Sequence, residues 1–157
     1  MDAIKMVEVT RSDFIESIHY GAAVLINSDE KILKEWGNSN ILIYPRSALK
    51  PIQSLNLYKG GVAEALNLSD NLIALTTASH HAETIHQKMI DNWLKKIHLS
   101  ENHLSCGPAW PWNEKDQFEA YLKYKTKRKI FHNCSGKHCG HLAVCQYKNL
   151  PIKNYQN

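Results

Sequence analysis

Three short stretches of this chain hold residues whose types and spacing suit catalysis or ligation. The first is Pro45-Arg46-Ser47-Ala48-Leu49-Lys50-Pro51. Positions three apart on a helix share a face, so the Lys50 amine can lie beside the Ser47 hydroxyl. Serine is a weak nucleophile until a base takes its proton. A lysine does this only as the neutral amine, which calls for a desolvated site with a cation nearby, and Arg46 is the candidate neighbour. The bare spacing is a weak signal, because Ser28 and Lys31 repeat it inside a turn and Ser47 alone reads more readily as a helix cap.

The second stretch is Ala78-Ser79-His80-His81-Ala82-Glu83, at a break between two apolar helical segments. Ser79 and His80 there either face a cleft or, in the plainer reading, Ser79 caps the helix that contains Glu83. Ser69-Asp70-Asn71 matches a secondary motif of serine β-lactamases, but it precedes an apolar helix and only Lys125-Thr126-Lys127 stands where Lys-Thr-Gly would follow. It reads as an N-cap.

The third and densest stretch runs from His132 to His141, with Cys145 beyond. Cys134, His138, His141 and Cys145 recur at helical spacing, and thiolates with imidazoles suit zinc. One straight helix spreads those four over about 16 Å, so at most two or three could reach one ion. The alternative is a loop entering a helix, with Gly136 and Gly140 allowing close packing.

Placing these residues requires strands first and helices afterwards. Val7 to Thr10 reads as a strand, and His19 to Ile26 and Lys31 to Trp36 as a hairpin around Asn27-Ser28-Asp29-Glu30. Ile41 to Tyr44 reads as a third short strand, closed by Pro45. Ser47 then caps a helix beginning at Ala48, with Pro51 tolerated in the first turn. Further helices are expected at Val62 to Leu66, Asp70 to Ala78, Glu83 to Ile97, after Asn113, and at Gly136 to Tyr147. The order implies a layered α+β domain.

At 157 residues the chain suffices for one domain, 1–157, and its 43% hydrophobic and 22% charged content excludes a disordered chain. The opening residues lack the basic and apolar halves of a secretion signal, and no apolar run is long enough to span a bilayer, so a soluble cytoplasmic protein is expected. Three of the four cysteines fall within twelve positions, which favours free thiols or ligation over disulfides. Lys123, Lys125, Lys127, Arg128 and Lys129 carry much of the +4 charge; with few interleaved aromatics they read as a solvated face, not a nucleic-acid surface.

Pro45 to Lys50, Ala78-Ser79-His80 and Asn133 to His138, in that order, together with Val7 to Arg11 and Cys106-Gly107-Pro108-Ala109-Trp110-Pro111, resemble the rhizobial-type, thermolabile L-asparaginase family, in its N-terminal portion. The resemblance implies a fold like serine β-lactamases and penicillin-binding proteins, a mixed sheet with flanking helices. It implies hydrolysis of the L-asparagine side-chain amide to aspartate and ammonia, with Ser47, Lys50 and Ser79 catalytic and Arg46 and His80 at the substrate. Cys134 and Lys137 match ligands of a zinc ion, and a homodimer is implied for the intact enzyme. Family members are about twice as long, and their second part supplies another zinc-ligating cysteine and a lysine partner for Ser79. A truncated, non-catalytic remnant that binds zinc or pairs with a separately encoded half is therefore the alternative, and an amidase for glutamine or a β-lactam a weaker one. The family also carries glycine where this chain has Ala82, a substitution that matters if the turn needs a positive φ.

Overall fold

The structure is a computed structural model that describes residues 2–156. It divides into two compact units, Met1–Tyr44 and Pro45–Asn157.

The first unit is built of two antiparallel hairpins. β1 (Ile4–Arg11) pairs with β2 (Phe14–Gly21), and β3 (Ala23–Ile26) pairs with β4 (Ile32–Trp36). Asn27 closes the second turn, its side-chain oxygen accepting the N–H groups of Asp29 at 3.0 Å and Lys31 at 2.9 Å. The hairpin read from that turn is therefore present. The strand expected over His19 to Ile26 is divided: β2 ends at Gly21, Ala22 breaks the ladder, and β3 begins a new sheet. Ile41 to Tyr44 joins no ladder among the described residues. Four apolar residues between an Asn-rich turn and a proline make too short a run to hold a strand without a paired neighbour. The architecture is α+β, with two small two-stranded sheets where one mixed sheet was expected. Both hairpins leave apolar side chains exposed, among them Val7, Phe14, Ile15, Leu25 and Ile26.

The second unit is helical. It comprises α1 (Lys50–Lys59), α2 (Val62–Ala65), α3 (Asp70–Thr77), α4 (Thr84–Lys96), α5 (Glu114–Tyr124) and α6 (Ser135–Tyr147). The last five lie within one or two residues of their expected limits. Asn113 caps α5 as its side chain suggests, accepting the Asp116 N–H at 2.8 Å. Leu57, Leu75, Ile90, Trp93, Phe131 and Leu142 fill the core.

The axis of this unit is α6, buried along most of its length and packed against α1, α3 and α4. Small residues make that possible. A methyl group at Gly136 would run into the Leu75 carbonyl oxygen of α3, and one at Gly140 would crowd the Thr76 methyl. The two glycines thus let α6 approach the final turns of α3, as one reading of the sequence required. Part of the basic run is engaged internally, because Arg128 pairs with Glu101 at 3.2 Å and lies over the Tyr124 ring. Among the described residues no helix is long and apolar enough to cross a membrane.

Candidate active site

The site begins where the chain enters α1. Pro45 opens a 3-10 turn over Arg46–Leu49, and the helix proper starts at Lys50 with Pro51 in its first turn. The helix expected from Ala48 under a Ser47 cap is thus replaced by this tighter turn, in which Ser47 makes no side-chain capping bond. Arg46 adopts a left-handed backbone at φ 48. A side-chain-bearing residue holds that conformation at a cost of about 1–2 kcal/mol, and such strain collects where a neighbouring residue must be presented. Ser47 is exposed at this turn, and its hydroxyl makes no hydrogen bond among the described residues.

Lys50 is the opposite case. Only 4% exposed, it sends its amine across the fold to the end of α3, donating to the Ala78 carbonyl at 2.8 Å and to the Ser79 hydroxyl at 2.9 Å. No carboxylate lies within ion-pair distance of it among the described residues. The Ser79 hydroxyl faces this lysine, and the cap of α4 is Glu83, so the capping reading of Ser79 does not hold.

His80 follows Ser79 and turns inward. Its Nδ1 accepts the Ala82 N–H at 3.1 Å and its Nε2 lies 2.8 Å from the Ser135 hydroxyl. Burial, followed by the nearby His86, His132, Lys50 and His81, pushes its pKa down to about 4, so the ring is neutral near pH 7. The substrate contact expected of His80 is not one its ring can make here, since both nitrogens already have partners and the ring is buried. Ala82, two residues on, is fully buried at φ 59. The turn does need the left-handed conformation, and a residue with a side chain supplies it.

The opposite wall comes from α6. Cys134 stands at its N-cap and Lys137 in its first turn, three residues apart and on one face. Arg46, Ser47, Lys50, Gln53, Cys134 and Lys137 together line an open pocket of about 310 Å³. Against about 30 Å³ for a water in the liquid, this admits a small organic substrate. Arg46 and Lys137 are basic and no acidic side chain lines the pocket, which suits an anion such as a carboxylate. The structure thus gathers the first serine, the lysine and the cysteine segment in one pocket, with Ser79 on the same lysine. Ser135 and Gln53 were not singled out in the sequence. Gln53 stands one turn beyond Lys50, and that spacing was the available clue.

The donors for zinc fall short of a site. Cys134 and Lys137 supply two, where a catalytic zinc takes three from protein, and no group of three His, Cys, Asp or Glu side chains is placed to hold an ion among the described residues. His138 Nδ1 instead lies in hydrogen-bond contact with the Tyr155 hydroxyl at 2.7 Å, and Cys139 and Cys145 are buried in the straight helix. All four cysteines are free thiols. Burial raises the Cys106 thiol to about 11, away from thiolate chemistry.

A family model described as L-asparaginase II matches residues 7–157. The chain belongs to the L-asparaginase II family. A search of curated proteins returned no match. Membership of the L-asparaginase II family carries an asparaginase-type function and fits a pocket lined by the basic residues Arg46 and Lys137 and by no acidic one. All three motifs that suggested the family contribute to this one region.

Proposed function

We propose that this chain hydrolyses the side-chain amide of L-asparagine, yielding L-aspartate and ammonia, with Ser47 as nucleophile and Lys50 as its base. The observation that carries the reading is the setting of the Lys50 amine. A neutral amine has two N–H groups and one lone pair. Ala78 and Ser79 engage two N–H groups and leave the lone pair free. Ser47 lines the same pocket, although its hydroxyl lies outside hydrogen-bond distance of the amine in this structure, so the reading requires the two to close on substrate.

In the first half-reaction the Ser47 oxygen bonds to the amide carbon while its proton passes to Lys50. The lysine returns that proton to the departing nitrogen, which leaves as ammonia. A water molecule then attacks the acyl ester, again giving its proton to Lys50, and aspartate departs as Ser47 recovers its hydrogen. Arg46 pairs with the substrate carboxylate in the manner guanidinium groups favour. Zinc remains an expectation of the family resemblance and would need donors beyond Cys134 and Lys137. The reading includes a fold of the serine β-lactamase type, a cytoplasmic location and a homodimer.

Ammonia release from L-asparagine, compared with glutamine and a chromogenic β-lactam, tests the proposal. Turnover of asparagine that survives Ser47→Ala removes Ser47 as nucleophile.

A second reading is a non-catalytic chain that binds zinc or associates with a separately encoded partner half. The two-donor Cys134 and Lys137 pair and the exposed apolar side chains of the first unit favour it. Sustained asparagine turnover by purified residues 1–157 dismisses it.

A further inference from the structure

We infer that His80 and Ser135 form a buried clamp that fixes the Ala78-Ser79 peptide against the start of α6 and thereby sets the position of the Lys50 amine. Its kinetic consequence rests on the proposed role of Lys50, whereas its geometry does not.

His80 is 4% exposed and Ser135 fully buried. Two such polar side chains would be costly inside the fold unless their hydrogen-bonding groups were matched. Here the matching has one direction. Because Nδ1 of His80 accepts the Ala82 N–H, the ring proton resides on Nε2 and is donated to the Ser135 oxygen. The Ser135 hydroxyl proton then goes to the Ile130 carbonyl at 3.0 Å. Beside this chain, the His80 backbone N–H donates to the Asn133 carbonyl at 3.2 Å. His86 stacks on the ring with centroids 5.1 Å apart, covering one of its faces.

The clamp acts at both ends. On one side are Ala78 and Ser79, the two residues that hold the Lys50 amine. On the other are Asn133 and Ser135, which flank Cys134. The same few bonds therefore keep the lysine and the α6 wall of the pocket in register. A fully satisfied buried network of this kind specifies position, and a displacement of 1 Å at a reacting group costs about 100-fold in rate. His80 and Ser135 are positioning residues, acting on the reaction through Ala78, Ser79 and Lys50.

The test compares Ser135→Ala, His80→Ala and His80→Gln in the full chain. Gln keeps an N–H donor toward Ser135 and loses the acceptor for Ala82. Nitrogen NMR is expected to find His80 as the Nε2–H tautomer. Hydrogen exchange at the His80 and Ala82 amides should speed about tenfold or more in Ser135→Ala, with amides in the middle of α4 within about twofold of wild type. In an active enzyme kcat should fall roughly 10–100-fold with KM within about threefold, and His80→Gln should recover part of what His80→Ala loses. Ile97→Val, at the far end of α4, provides a control for lost stability. The clamp is overturned by the opposite ring tautomer, by unchanged exchange at both amides, or by kcat losses no greater than those of Ile97→Val. Wild-type chain that releases no ammonia would reject the proposed function, and exchange with tautomer state would then decide the clamp alone. If Ser135→Ala does not fold, the two His80 variants carry the same comparison.

Discussion

The Lys50 amine lies 2.9 Å from the Ser79 hydroxyl, although they are 29 positions apart and the chain between them runs through α1, α2 and α3. The contact joins two sequence motifs that are individually weak. It also makes the lysine a buried cation or buried amine without an anionic partner, and several expectations follow from that condition.

Replacing Lys50 with Met removes the base while keeping most of the side-chain volume. Asparagine turnover should drop by about 10²–10⁴-fold, the usual contribution of general base catalysis. Thermal stability should hold or rise, because an apolar chain no longer has to bury an amine. Parallel ammonia assays and melting curves check both halves, and a large loss of stability would contradict the burial argument.

The two serines should respond differently. Ser47→Ala is expected to abolish acyl-enzyme formation, and Ser79→Ala to lower kcat less, by loosening Lys50 alone. Trapping the intermediate by rapid acid quench and mass spectrometry separates them. Acyl adduct on the peptide containing Ser79 would exchange their roles.

Ala82 occupies a left-handed position that glycine takes without strain. Ala82→Gly should therefore stabilise the chain by about 1 kcal/mol, read from denaturant midpoints at unchanged slope. A destabilised variant would mean that the packing of its buried methyl outweighs the relief.

Gly136→Ala should do the reverse. The added methyl meets backbone of α3, which cannot step aside as a side chain would, so a loss of about 1–3 kcal/mol is expected. Urea titration measures it.

His80 has a folded pKa lowered from the ordinary 6.5 to about 4. Between these values the unfolded chain binds the proton and the folded one does not. Its contribution to stability is therefore complete above about pH 6.5 and is lost as pH falls toward 4. Melting midpoints from pH 7.5 to 4 should fall across that window, and less steeply in His80→Gln.

Much of the helical unit was legible in the sequence. Asn113 marks the start of α5 through its side-chain cap, Ser69 stands at the N-cap of α3 without a side-chain bond, and Pro51 falls in the first turn of α1. The hairpin at Asn27 was legible for the same reason. What escaped was non-local. Nothing near Phe14 signals that it begins a strand, because the strand is defined by its antiparallel pairing with β1. Nothing local tells whether Lys50 turns toward Ser47 or across to Ser79. That direction is set by acceptors 28 and 29 positions away, the Ala78 carbonyl and the Ser79 hydroxyl. Ser135 carries no local sign of its burial, and His80 resembles a substrate ligand until both its nitrogens are accounted for. The left-handed turn at Ala82 is legible because a requirement for positive φ belongs to one residue and its backbone.

The contact of Gly136 with the Leu75 carbonyl also limits how this pocket can be remodelled. The α6 wall packs against α3 with no spare volume at that point, so changes there propagate into backbone. The opposite rim, from Arg46 to Gln53, is a surface turn followed by one helical turn, with Lys50 its only buried side chain. Altered preference among small amides is therefore most accessible from that rim, at Arg46 and Gln53, where new side chains can be accommodated without parting the helices.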